Sequence, residues 1–104
     1  MTKNYLVVFG KCTGSNFSGH APDVPGCISA GDTLEEMRAM MREALELHFQ
    51  GLAEYGEPIP EPKTINVEFK PQDFADVEYF VVQHIEVSVP ANAVFETAKT
   101  DQAA

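Results

Sequence analysis

Apolar positions come in three patterns along the chain. Tyr5-Leu6-Val7-Val8-Phe9 is a continuous run rich in aromatic and β-branched residues, interrupted by Gly10-Lys11, and it predicts a strand apolar on both faces. Lys11-Cys12-Thr13-Gly14-Ser15 has turn composition. The following Asn16–Ala21 alternates with period two, setting Phe17 and Ala21 on one face and His20 on the other. A hairpin is the natural product. Pro22-Asp23-Val24-Pro25-Gly26 then punctuates the chain, since each proline fixes φ and lacks an N–H while Gly26 tolerates positive φ. Cys27-Ile28-Ser29-Ala30 predicts a short third strand ended by Gly31-Asp32.

The period then changes to that of a helix. Thr33-Leu34-Glu35-Glu36 has the form of a capping box, with Thr33 accepting from the Glu36 N–H and Glu36 reaching back. Leu34, Met37, Met41, Ala44, Leu45, Phe49 and Leu52 recur three or four apart and define one apolar stripe. Glu35, Glu36, Arg38, Arg42, Glu43 and Glu46 fall on the other side, with Glu35–Arg38 and Arg42–Glu46 at ion-pair spacing. The helix is predicted from Thr33 to Tyr55, stopped by Gly56 and by Pro58, Pro60 and Pro62. The proline-rich stretch is extended and crosses back to the sheet. Thr64–Phe69 predicts a short edge strand, and Tyr79–Val89 the longest strand of the chain, closed by Pro90. Strand, strand, strand, helix, strand makes an α+β layer: an antiparallel β-β-β-α-β sheet with one long helix on one face.

That order leaves a problem. Val81, Ile85, Val87 and Val89 share one face of the last strand while Phe80 and Val82 occupy the other, and the first strand is apolar on both. One helix covers one face. The second is therefore expected to be buried by another subunit, making a dimer or higher homo-oligomer, or by a partner protein.

Composition narrows the function. The chain has 104 residues, one domain's worth, with 16 acidic against 7 basic side chains and a formal net charge of −9. Such a charge repels phosphate backbones and suits a basic partner, so no direct nucleic-acid binding is expected. No apolar segment approaches the ~20 residues of a membrane span, and two cysteines without ligand or redox spacing fit a reducing compartment. A cytoplasmic protein with no membrane association is expected.

Reactive chemistry finds little support. Cys27 and His84 are a conceivable nucleophile and base, but nothing orients them and a strand cysteine is ordinarily a small buried hydrophobe. His20, His48 and His84 lack metal-ligand spacing with the cysteines. The acids gather on the exposed helix face and in loops, and the first strand contains none. No catalytic residue, metal or cofactor is expected.

Several segments resemble the HicB antitoxin family: Tyr5-Leu6-Val7-Val8-Phe9, Pro22-Asp23-Val24-Pro25-Gly26-Cys27, Ser29–Glu36, Arg42–His48 and Gly56-Glu57-Pro58-Ile59-Pro60, in order from Tyr5 to Pro62. The resemblance implies a partial ribonuclease H-like fold. It also implies a non-enzymatic antitoxin that occludes a small basic HicA-type toxin, itself an mRNA-cleaving enzyme. Members that repress their own operon carry a DNA-binding module after the last strand. Ala91–Ala104, with Lys99 its sole basic residue, is too short and too poor in cations for one. The expected organisation is one domain over 1–90 and a tail over 91–104 that forms a short helix and then frays. Partner-binding candidates are the stiff loop Asp23, Val24, Pro25 and Gly26, and the acidic helix face around Glu35, Glu43 and Glu46. The alternative is a stand-alone regulatory or scaffold module of the same fold with a non-toxin partner.

Overall fold

The computed structural model describes residues 1–96. β1 (Thr2–Cys12), β2 (Phe17–His20), β3 (Ile28–Gly31) and β4 (Val77–Ser88) form one sheet in the order β3-β2-β1-β4, every pairing antiparallel. β1 is central, and its residues Tyr5 to Gly10 are all buried, as a run apolar on both faces requires. The strand continues through Cys12, so the turn is shorter than the composition of Lys11–Ser15 indicates; Cys12 N–H donates to the Asn16 carbonyl and Ser15 N–H to that of Cys12.

One helix, α1 (Leu34–Glu54), lies across one sheet face. The Thr33 hydroxyl accepts from Glu36 N–H at 3.0 Å, but the Glu36 carboxylate returns to the N–H of Asp32 at 2.9 Å, one residue before the usual capping-box donor. At the far end Gly56, at φ +70°, closes a Schellman motif: its N–H reaches the Ala53 carbonyl and that of Glu57 the Leu52 carbonyl. The buried row is Met37, Met41, Leu45, Phe49 and Ala53, with Leu34, Ala44 and Leu52 half-buried beside it. A strict spacing of four follows one surface ridge of the helix, inclined to its axis, and this ridge is what packs on the sheet. Tyr5, Val7 and Phe9 of β1 and Ile85 and Val87 of β4 meet it there. The approach is close at β2: a Cβ on Gly19 would come within 2.7 Å of Met37 and of Phe9.

The connection from α1 to β4 differs from expectation. Thr64–Phe69 is not a strand. Its first backbone donors are taken by a side chain, since the Asp23 carboxylate accepts from Lys63 N–H at 2.9 Å, Thr64 N–H at 2.8 Å and the Thr64 hydroxyl. Anchored there, the segment crosses the second sheet face instead of adding to an edge. Val67 and Phe69 are half-buried, and the Phe69 ring stacks on Phe80 with centroids 4.3 Å apart. A single turn of 3-10 helix, Pro71–Phe74, leads into β4. The second face is thus closed at its centre by the chain itself: Leu6 and Val8 are buried within one protomer, without another subunit.

Before that crossing, Ile59 is fully buried and pairs in parallel with Phe95, its N–H on the Val94 carbonyl at 2.6 Å and its carbonyl accepting from Glu96 N–H at 2.9 Å. Residues 91–96 therefore form a turn and a bridge rather than a helix, with Ala93 and Phe95 packed on the core. The remainder of the expected tail, 97–104, lies outside the described residues.

Candidate functional site

The two candidate surfaces fare differently. In the 22–26 loop, Asp23 is 8% exposed and spends its carboxylate on the crossover, while Val24 is core. Pro25 and Gly26, the latter at φ +88°, form the exposed tip. Half of this candidate is internal bracing, and only the tip can meet a partner.

The helix face is outward. Glu35 and Glu43 are exposed and Glu46 is half-buried. Neither intrahelical ion pair suggested by the spacing forms. The Arg38 guanidinium donates to the Gln83 side chain at 3.1 Å and that of Arg42 to the Glu86 carbonyl at 3.0 Å, while the Glu46 carboxylate accepts from Ser88 N–H at 2.9 Å. Both cations of the helix are thus drawn to the β4 flank. The sole ion pair among the described residues, Lys3–Glu61 at 3.0 Å, is elsewhere. The pole of α1 opposite the buried row carries Glu36, Met40, Glu43, Leu47, Gln50 and Glu54, separated alternately by four and three residues and hence aligned. Along about 27 Å of helix this line holds three carboxylates and no cation. Met40 and Leu47, 42% and 67% exposed, sit between them. Sequence reasoning placed these two outside the apolar stripe without assigning them a use; the signal was their seven-residue spacing among glutamates.

No other described feature gathers reactive groups. Cys27 lies by β3 in the helix-side core, whereas His84 is exposed on β4, at the opposite edge of the sheet, so they form no couple. Burial pushes the Cys27 thiol above its ordinary pKa, away from the thiolate. The Tyr5 phenol is pushed further up, chiefly by burial and then by the charges of Glu61, Asp23 and Glu96; it donates to the Pro60 carbonyl at 2.6 Å and serves as a brace. His20 and His48 are exposed. Among the described residues no three metal-ligating side chains converge, and no helix is long and apolar enough to cross a membrane. On the second sheet face, Val8 floors a cleft of about 390 Å³ walled by Val67, Phe69 and Phe80.

A four-stranded antiparallel sheet backed by one long helix, completed by a covering crossover, defines an α+β domain of the expected class. Residues 5–96 match the model of the HicB-like antitoxins of bacterial toxin–antitoxin systems, and the chain belongs to that family. It is 37% identical over 68 residues to an uncharacterised 14.9 kDa protein of Haemophilus phage HP1, covering 65% of this chain and 49% of the phage protein. A UPF0150 protein of Synechocystis is 34% identical over 62 residues, 60% of this chain and 78% of that one. The chain therefore spans about half the length of the phage relative. Among solved structures, a chain of the HicA3–HicB3 toxin–antitoxin complex aligns with TM-score 0.60 and 26% identity over 83% of this chain and 99% of its own. The N-terminal domain of the Burkholderia pseudomallei antitoxin HicB aligns at 0.58 and 27% over 85% and 99%. A toxin–antitoxin complex from Streptococcus pneumoniae, at 0.73 but 17% identity, covers 99% of this chain and 86% of its own and shows the shared fold alone.

Proposed function

We propose that this chain is an antitoxin that binds a small basic HicA-type mRNA-cleaving toxin in the cytoplasm and blocks its active surface, with no catalysis of its own. The outer pole of α1 is the surface assigned to the toxin. The observation that carries this reading is the sorting of helix charges: Arg38 and Arg42 are engaged at β4, leaving Glu36, Glu43 and Glu54 uncompensated around Met40 and Leu47. A line of anions steers a cationic protein into place, and exposed apolar side chains between them supply contact area once water is expelled. Membership of the antitoxin family and similarity to a chain of a toxin–antitoxin complex support the partner's class.

The test pairs growth rescue with affinity. Co-expressed with a HicA-type toxin whose growth arrest it relieves, the wild type should be compared with Glu43→Lys and Leu47→Arg. Both positions are exposed, so folding should survive. Affinity should fall roughly ten- to a hundredfold, the charge effect shrinking as salt is raised. Full rescue with undiminished affinity in the double variant removes the outer pole from the interface; failure of the wild type against every HicA-type toxin tried removes the function.

A further inference from the structure

Gly10 interrupts the apolar run of β1, and the second sheet face shows what its missing side chain makes room for. Phe80, opposite Gly10 on β4, lies so near the bare backbone that a Cβ there would come within 3.2 Å of its ring. Phe69 of the crossover stacks on that ring at an interplanar angle of 21°. The paired rings wall one side of the cleft floored by Val8, and His20, opposite Val8 on β2, lines the other. At about 390 Å³ the space is at the small end of the roughly 300–1,000 Å³ usual for ligand sites. A second hollow, running from Ser18 to Ala30 across β2 and β3, is larger at about 570 Å³, but it is lined by the sheet alone and by no carboxylate.

Carboxylates mark the first. Glu68 and Asp73 line it, and both are exposed, so the cleft opens to water past two acids. Neither is in an ion pair among the described residues, and Lys70, between them in the chain, is not part of the lining. One Asp73 oxygen accepts from the Lys70 N–H at 2.8 Å; the side chains of Glu68 and His20 make no hydrogen bond among the described residues.

We propose that this cleft binds a small aromatic amine, one or two fused rings carrying a protonated amino group on a short chain. The interior sets the body of the ligand, since Val8, Val67 and the two phenylalanines offer apolar and aromatic surface to a flat ring. The mouth sets its charge. Two carboxylates and an imidazole suit an ammonium with three N–H donors, and the ring faces attract a cation as well. An anion would meet both acids on a chain of net charge −9. By bridging β1 and the crossover, the ligand holds down the segment that Asp23 anchors at its start. The site is on the sheet face opposite α1, so it goes beyond the antitoxin reading and stands or falls without it.

Tryptamine titrated into the isotope-labelled chain is the probe, with tryptophol and indolepropionate as its neutral and anionic counterparts. Tryptamine should move the amide signals of Val8, His20, Val67 and Glu68 with a dissociation constant on the order of 0.1–1 mM. At tenfold over that constant it should raise the unfolding midpoint by about 5–10 °C. Tryptophol should bind about tenfold more weakly, and indolepropionate more weakly still. Glu68→Gln combined with Asp73→Asn should cost tryptamine about tenfold and leave tryptophol unchanged; both residues are exposed, so the fold is kept. Val67→Trp, which fills the cleft from the crossover, should abolish binding of both. No response at millimolar tryptamine, equal affinity for tryptamine and tryptophol, undiminished affinity in the double variant, or signal changes centred on Glu36 and Glu43 of α1 would overturn the proposal.

Discussion

Replacing Asp23 by alanine should be among the most damaging changes outside the apolar core. The carboxylate holds three donors, two backbone N–H groups and a hydroxyl, all some forty residues away. A net value near 1 kcal/mol per bond, toward the upper end because the acceptor is charged, gives a loss of about 3 kcal/mol. That is a large share of the roughly 5–15 kcal/mol typical of a domain. At ~4–8 °C per kcal/mol for a chain of this size the midpoint should fall on the order of 15 °C. Asparagine at the same position is the informative comparison. Its side-chain carbonyl can still face the Lys63 and Thr64 N–H groups while its amide donates to the Thr64 hydroxyl, so Asp23→Asn should cost only about 1 kcal/mol. Urea unfolding followed by circular dichroism measures both. Because Asp23 is turned inward, Asp23→Asn should also leave toxin affinity within about threefold, well short of the loss expected for Glu43→Lys. An alanine variant within ~0.5 kcal/mol of wild type would refute the bracing role and reopen the loop as a contact surface.

Two further outcomes follow from the packing. Gly19→Ala should destabilise by about 1–3 kcal/mol, since its Cβ would meet Met37 and the Phe9 ring on opposed elements; an unchanged denaturation midpoint would refute the close packing of α1 on β2. For the cysteines, burial keeps the Cys27 thiol protonated to higher pH, whereas Cys12 is half-exposed. Alkylation near pH 8 should label Cys12 first, and Cys27 should catch up only as pH rises through its raised pKa or as the chain unfolds. Equal labelling rates in native protein would contradict this.

Local patterns were legible without coordinates because they report local causes. A short run apolar on both sides and rich in aromatic and β-branched residues fits a strand buried on both faces, and β1 is central. Thr33 and Gly56 bracket α1 because orphan donors and acceptors at helix ends must be met nearby. The acid excess was a matter of counting. What the folded chain alone decided are the pairings between residues some forty positions apart. Thr64–Phe69 reads as a strand by alternation, yet Asp23 takes its first donors and lays it across the sheet, so a face that the strand order leaves to a second subunit is closed internally. Arg38 and Arg42 are spaced for intrahelical partners, but the Gln83 side chain and the outward Glu86 carbonyl of β4 compete for them. Periodicity fixes which side of an element is apolar; it carries no information on which distant backbone group lies within reach. The uncompensated acids of α1 are a product of that choice.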